Sequence, residues 1–259
     1  MIRMLCTMAV VSLMATPVIA DVTVTSQVAG KAGESQSITY IKGLKMRSDS
    51  SMLGTPTTTI TDIEAQKFIS INHKKKEVTI YDMAQFRQEL DKSMKAGEAE
   101  SSLKPNGQKK DIAGRACTGY DISITMPMAM GQGAPEMTMV MSGPVFIAKG
   151  APGSADYARF HNAAAEKGFI TSDPRAAKAN PSQTKGMTNL YKAMGETGGI
   201  PYYMEMNVKI EGAGPMAGMM NKVMGGGAAF TQTVTAVSTD AVPDDKFALP
   251  ADYKVKDSK

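Results

Sequence analysis

From Tyr120 the chain alternates with a period of two. Tyr120, Ile122, Ile124, Met126, Met128 and Met130 fall on one parity, and Asp121, Ser123 and Thr125 on the other, until Pro127. Successive side chains of a strand point to opposite faces, so the pattern demands a strand with one buried and one wet face. Residues 131–136 are rich in Gly and Pro and supply a turn. Met137, Met139, Met141, Val145 and Ile147 then repeat the pattern on the way back. A lone hairpin is marginally stable in water, so its apolar face needs more strands or a covering helix.

The rest of the chain offers both. Val22, Val24 and Val28 alternate with polar residues. A second strand begins at Ile38 and Tyr40 and runs through residue 47, and segments 57–63, 67–71 and 77–81 follow at short spacing. Many short strands broken by turns predict an antiparallel meander. Asp82 is a candidate N-cap for a helix carrying Phe86, Leu90 and Met94 on one face and stopping at Gly97. Residues 96–111 are polar and read as an exposed loop. Ser154 caps a second helix with Tyr157, Phe160 and Ala164 on a face, and Thr184 a third with Met187, Leu190, Tyr191 and Met194. Residues 173–180 link the two irregularly. Tyr202, Met204, Met206, Val208 and Ile210 restore the strand period, 212–227 is a Gly/Met-rich loop or short helix, 230–237 closes the sheet, and 247–250 packs the tail. The expectation is an α+β domain spanning 21–259, a curved antiparallel sheet covered by about three helices.

Residues 1–20 are expected to be a cleaved signal peptide. Arg3 supplies the charge, residues 4–15 an apolar stretch too short to span a bilayer, and Val18, Ile19 and Ala20 the small or β-branched residues before cleavage. Cys6 lies too early to be a lipid-anchoring cysteine, so the expected product is soluble, periplasmic or secreted, with no transmembrane segment. Its surplus of basic over acidic residues is only three. With no Trp and no Arg cluster, nucleic-acid binding is not expected. Cys117 is then the sole cysteine, read as a small core residue rather than a reactive thiol.

Catalysis is poorly served. His73 and His161 are the only histidines, and no Cys-x-x-Cys, HExxH, phosphate-loop or nucleophile-elbow motif occurs. Ser101 to Lys104 matches S-x-x-K but falls in the polar segment. No catalytic residue, no cofactor and no enzyme activity are expected. The unusual feature is methionine, 22 in all, of which Met1, Met4, Met8 and Met14 leave with the leader. Met126, Met128, Met130, Met137, Met139, Met141, Met204 and Met206 share parities that point to one sheet face. Three readings of that face stand side by side: an apolar core filled by flexible side chains, an adaptable wall for a lipid or acyl chain, and a soft-metal surface. Met216, Met219, Met220 and Met224 form a second cluster suited to Cu(I) or Ag(I).

Four stretches carry a resemblance. They are ITYIKGLKMR at 38–47, TTTITDIEAQKFISINHKKKEVTIY at 57–81, the Gly114 to Tyr120 stretch with its cysteine, and VPDDKFALPADYK at 242–254. Together they resemble an exported bacterial family of unknown function, similar in fold to the LolA/LolB outer-membrane lipoprotein carriers. The resemblance implies an incomplete antiparallel β-barrel with helices over its concave side, an apolar cavity between them, a periplasmic place and hydrophobic cargo. It carries over no catalytic residue. The expected function is non-enzymatic binding of a hydrophobic small molecule or lipid. The expected site is Ile122, Ile124, Met126, Met128, Met130, Met137, Met139, Met141, Tyr202, Met204 and Met206. The alternatives are a Cu(I)/Ag(I) protein and a structural envelope protein with no small ligand, and an envelope protein is a further expected partner.

Overall fold

Twelve strands join in one sheet. They are β1 Val22–Gly30, β2 Gly33–Lys42, β3 Lys45–Met52, β4 Thr55–Asp62, β5 Lys67–Asn72, β6 Glu77–Asp82, β7 Glu100–Ile112, β8 Arg115–Met128, β9 Met137–Lys149, β10 Gly199–Gly212, β11 Ala228–Ser238 and β12 Lys254–Ser258. Their order is β12-β6-β5-β4-β3-β2-β1-β11-β10-β9-β8-β7. Every pairing is antiparallel except β12 with β6. The computed structural model describes residues 21–30, 33–52, 54–93, 99–128, 137–169, 174, 181–212, 215–224 and 228–258. The leader, the 131–136 turn with Met130, and Met94 with Gly97 lie outside them.

Four helices accompany the sheet among the described residues: α1 Met83–Ser93, α2 Ser154–Glu166, α3 Pro181–Glu196 and α4 Pro215–Met224. Helix α1 begins as anticipated, because one Asp82 carboxylate oxygen accepts from the amides of Ala84 and Gln85 at 2.9 and 3.0 Å. These are the second and third helical N–H groups, which no turn of helix satisfies. Asp82→Ala should cost about 1 kcal/mol in chemical denaturation, while Asp82→Asn should keep most of that.

Several boundaries differ from the expectation. The single strand over 38–47 is two strands, because Gly43 adopts φ +58° and Lys42 pairs with Lys45 across a two-residue turn. Most of the 96–111 segment expected as a loop belongs to the edge strand β7. Paired only with β8, it needs no strict alternation, and its lysines and Pro105 suit an edge that must not recruit another strand. Ser154 is inside α2 rather than its cap, since Gly153 holds that position without a side-chain bond. Helix α3 starts at Pro181, so Thr184 sits in its first turn. The Gly/Met insert contains a helix, which brings the count to four.

Apolar residues occupy both faces of the sheet. On one, Val22, Ile41, Phe68 and Tyr81 pack with Met83 and Phe86 of α1 and Phe160 and Ala164 of α2. On the other, Ile60, Ile71 and Val78 are covered by Phe247, Leu249 and Tyr253 of the C-terminal segment. That segment then pairs with β6 as β12.

Candidate functional site

Strand pairing gathers the methionines as their parity requires. Met126 lies opposite Met139, Met128 opposite Met137 and Ile124 opposite Met141, and β10 sets Val208 beside Met141 and Ile210 beside Met139. This face is a seat for helices. Leu190 and Met194 of α3 pack with Ile122, Ile124, Met126, Met141, Met204 and Met206 in one cluster, with Met206 wholly buried. Nearer the hairpin tip α4 takes over, and Met128, Met137, Met139 and Met220 gather with Ile210 and Ala217. Met216 and Met219 point outward from α4 at 39% and 63% exposure, and Met224 ends the helix. Tyr202 leaves the methionine face. A register shift between Pro201 and Tyr203 breaks the period of two there, and Tyr202 packs instead with Cys117, Phe146 and Ala148.

Among the described residues, a cavity lies under α2 and α3, away from most of this face. Its volume is about 200 Å³, and it is bounded by β1–β4, β10 and β11 below and by Tyr157, His161, Tyr191 and Met194 above. Five inter-strand steps separate β4 from β10, about 24 Å in a flat sheet at ~4.8 Å per step. One small cavity touches both, so the sheet curls around the helix pair. Its floor contains a cross-strand row, Val24–Thr39–Ser48–Thr59, each residue opposite the next. Ser37 and Gln232 add polar groups beside it, and Met46, Ile200 and Met204 apolar ones. Of the residues expected from sequence, Met204 alone borders this space. The short hydroxyl side chains leave room under the helices, yet alternation assigns such residues to the wet face. Their one signal is a Ser or Thr at matching positions of three consecutive strands.

The roof is aromatic. The His161 ring stands 4.4 Å from Tyr157, 5.4 Å from Phe160 and 6.0 Å from Tyr191, nearly parallel to the last. Burial alone pushes its pKa down to about 4 because the charged ring is poorly solvated there. Burial also raises the Tyr157 and Tyr191 hydroxyls. The cavity lining is therefore uncharged at neutral pH. It can receive an apolar body and neutral hydrogen-bonding groups, while an ion entering it loses its water without a counter-charge.

The remaining candidates sit in hydrogen-bonded or buried surroundings. His73 lies between Thr58 Oγ1 at 2.9 Å from Nε2 and the Tyr253 hydroxyl at 3.0 Å from Nδ1. Thr58 donates to the Asp49 carboxylate, which Arg47 also holds. The Thr58 oxygen therefore accepts from Nε2–H, and Tyr253 donates to Nδ1 in the neutral ring. Arg47 reaches the Lys246 carbonyl as well, so the chain of bonds latches the C-terminal segment to the sheet. Cys117 is buried, burial raises its thiol pKa, and its S–H donates to the Arg115 carbonyl at 3.3 Å. That is the environment of an unreactive core thiol. Ser101 to Lys104 lies in β7. Among the described residues no group of three or more His, Cys, Asp or Glu side chains could hold a metal ion, and no helix is long and apolar enough to cross a membrane.

The chain matches no protein-family model and no curated protein. Among solved structures it is similar to an uncharacterized conserved protein from Thermus thermophilus, with a TM-score of 0.41 and 8% identity over 93% of this chain and 92% of that one.

Proposed function

We propose that this chain is an exported, non-enzymatic carrier that holds a neutral, largely apolar ligand between its curled sheet and the α2–α3 pair. The observation that carries the reading is the uncharged cavity, roofed by aromatic rings and floored by hydroxyls. The resemblance to the LolA/LolB carriers supports it, since their fold also sets helices over the concave side of an open antiparallel sheet. The leader-like first twenty residues support a periplasmic place. The cavity exceeds the ~150 Å³ that accommodates a benzene ring but falls below the ~300 Å³ at which most ligand pockets begin. As it stands it takes a ring or the end of an acyl chain, and longer cargo requires α2 and α3 to lift.

The test is uptake of N-phenyl-1-naphthylamine, followed by fluorescence, with decanol and decanoate as competitors. Wild type should bind the probe and release it to decanol far more readily than to decanoate, because the cavity offers no cation. Ser48→Phe fills the floor and should weaken probe binding more than about tenfold, a loss of ~1.4 kcal/mol, with the circular dichroism spectrum unchanged. A folded Ser48→Phe protein that takes up the probe as wild type does would refute the site. A wild-type protein that takes up neither probe nor alcohol would favour a purely structural envelope role.

A further inference from the structure

The two methionine groups that are separate in sequence meet in space. Met128 and Met137 are directly opposed across the β8–β9 ladder, and Met139 sits beside Ile210 of β10. Helix α4 brings Met220 onto them, with Ala217 one turn earlier as the small residue that lets the helix approach. The helix is held in register by Asn221, whose side-chain amide donates to the Ile210 carbonyl and whose oxygen accepts from the Ile210 amide, both at 2.7 Å. We propose that Met128, Met137, Met139 and Met220 form a thioether site for a soft monovalent cation, Cu(I) or Ag(I).

The chemistry of the donor set fits that class. Thioethers are soft, neutral ligands that bind Cu(I) and neglect Zn(II), Mg(II) and Ca(II). None of the four carries a proton to lose, so binding is independent of pH where thiolate or imidazole sites weaken in acid. Met216 and Met219 add two exposed thioethers on the outer side of α4. Met128, Met139 and Met220 are themselves only partly buried, unlike the wholly enclosed Met206. The site is distinct from the cavity under α2 and α3 and stands or falls separately from the carrier reading.

Ag(I) is the probe, since it needs no reductant, and Cys117→Ala is the background, since a thiol would compete for it. Titration followed by native mass spectrometry should show one Ag(I) per chain. The ε-methyl resonances of Met128, Met137, Met139 and Met220 should shift, and the affinity should be the same at about pH 7 and pH 5. Replacing Met128, Met139 and Met220 together by Leu keeps the volume and removes the sulfur. It should leave the melting temperature within a few degrees and weaken Ag(I) binding by more than about 100-fold, the loss that even outer-shell changes reach. Met220→Leu alone, on the helix surface, should weaken it by about 10-fold. The proposal is overturned if the Cys117→Ala protein binds no Ag(I), if either Leu variant keeps the wild-type affinity, or if binding collapses on acidification.

Discussion

Lowering the pH from about 6.5 to 4 should cost the folded protein about 3 kcal/mol through His161. In the unfolded chain the ring takes its proton near 6.5, and in the fold burial holds protonation off until about 4. Above pH 6.5 both states are neutral and His161 adds no slope. Between the two values the unfolded state binds more protons, so stability declines as pH falls, and below 4 the curve is flat again. A separation of about 2.5 units at ~1.36 kcal/mol each sets the magnitude. Tyr157, Phe160 and Tyr191 surround the ring and bring no carboxylate to rescue the charged form. The Glu77, Glu205, Asp244 and Asp252 carboxyls have lowered pKa values from lysine or hydrogen-bond partners. They also lose stability in acid, which is why the comparison must be made against a variant. His161→Phe keeps an aromatic ring at the position and removes the titration. Urea unfolding at a series of pH values should show the two proteins diverging by about 3 kcal/mol across this window. Parallel curves would mean that the ring is solvated. Since His161 also faces the cavity, wild type should release a bound apolar ligand only near pH 4, where the folded ring takes its proton, while the variant retains it.

That histidine marks the limit of what sequence patterns carry here. Period-two alternation located most of the strands and put the methionines of β8, β9 and β10 on one face, because a half-buried sheet leaves that signature wherever one side is wet. The pattern fails where both sides are dry or neither is. Strand β7 carries lysines on an unpaired edge and shows almost no apolar period. Strand β4 is covered on one face by the C-terminal segment and borders the cavity with the other, so Thr58 and Ile60 are buried on one side while Thr59 lines the space on the other. Cavities are poorly written in sequence for a related reason. They are made by what is small, and Ser37, Thr39 and Ser48 carry the same letters as any wet strand face. The meeting of Met220 with Met128 depends on α4 folding back over β10, and two hydrogen bonds from Asn221 fix that return.

Adding one methyl group at Gly143 should destabilise the protein by about 3 kcal/mol. Gly143 lies in β9, and a Cβ built there would stand 2.1 Å from the Glu205 carbonyl oxygen and 2.8 Å from its carbon. Both are backbone atoms of β10, so no rotamer change relieves the clash and the strands themselves must separate. The ladder is already interrupted at this point. Met204 pairs with Val145 and Asn207 with Ser142, while Gly143 takes no partner between them. The absence of a side chain lets the β10 backbone press inward and place Met204 and Met206 under α3. Gly218 is the control. It sits in α4 with nothing within 4 Å of its missing Cβ, and Gly218→Ala should stabilise by about 0.5–1 kcal/mol, the usual helix-propensity gain. Urea unfolding of the two alanine variants should therefore move in opposite directions from wild type. The Gly143→Ala protein should also lose N-phenyl-1-naphthylamine uptake, because Met204 is the one methionine of this face that borders the cavity. If Gly143→Ala unfolds within about 1 kcal/mol of wild type, the two strands do not approach closely here, and the inward seat of Met204 and Met206 needs another cause.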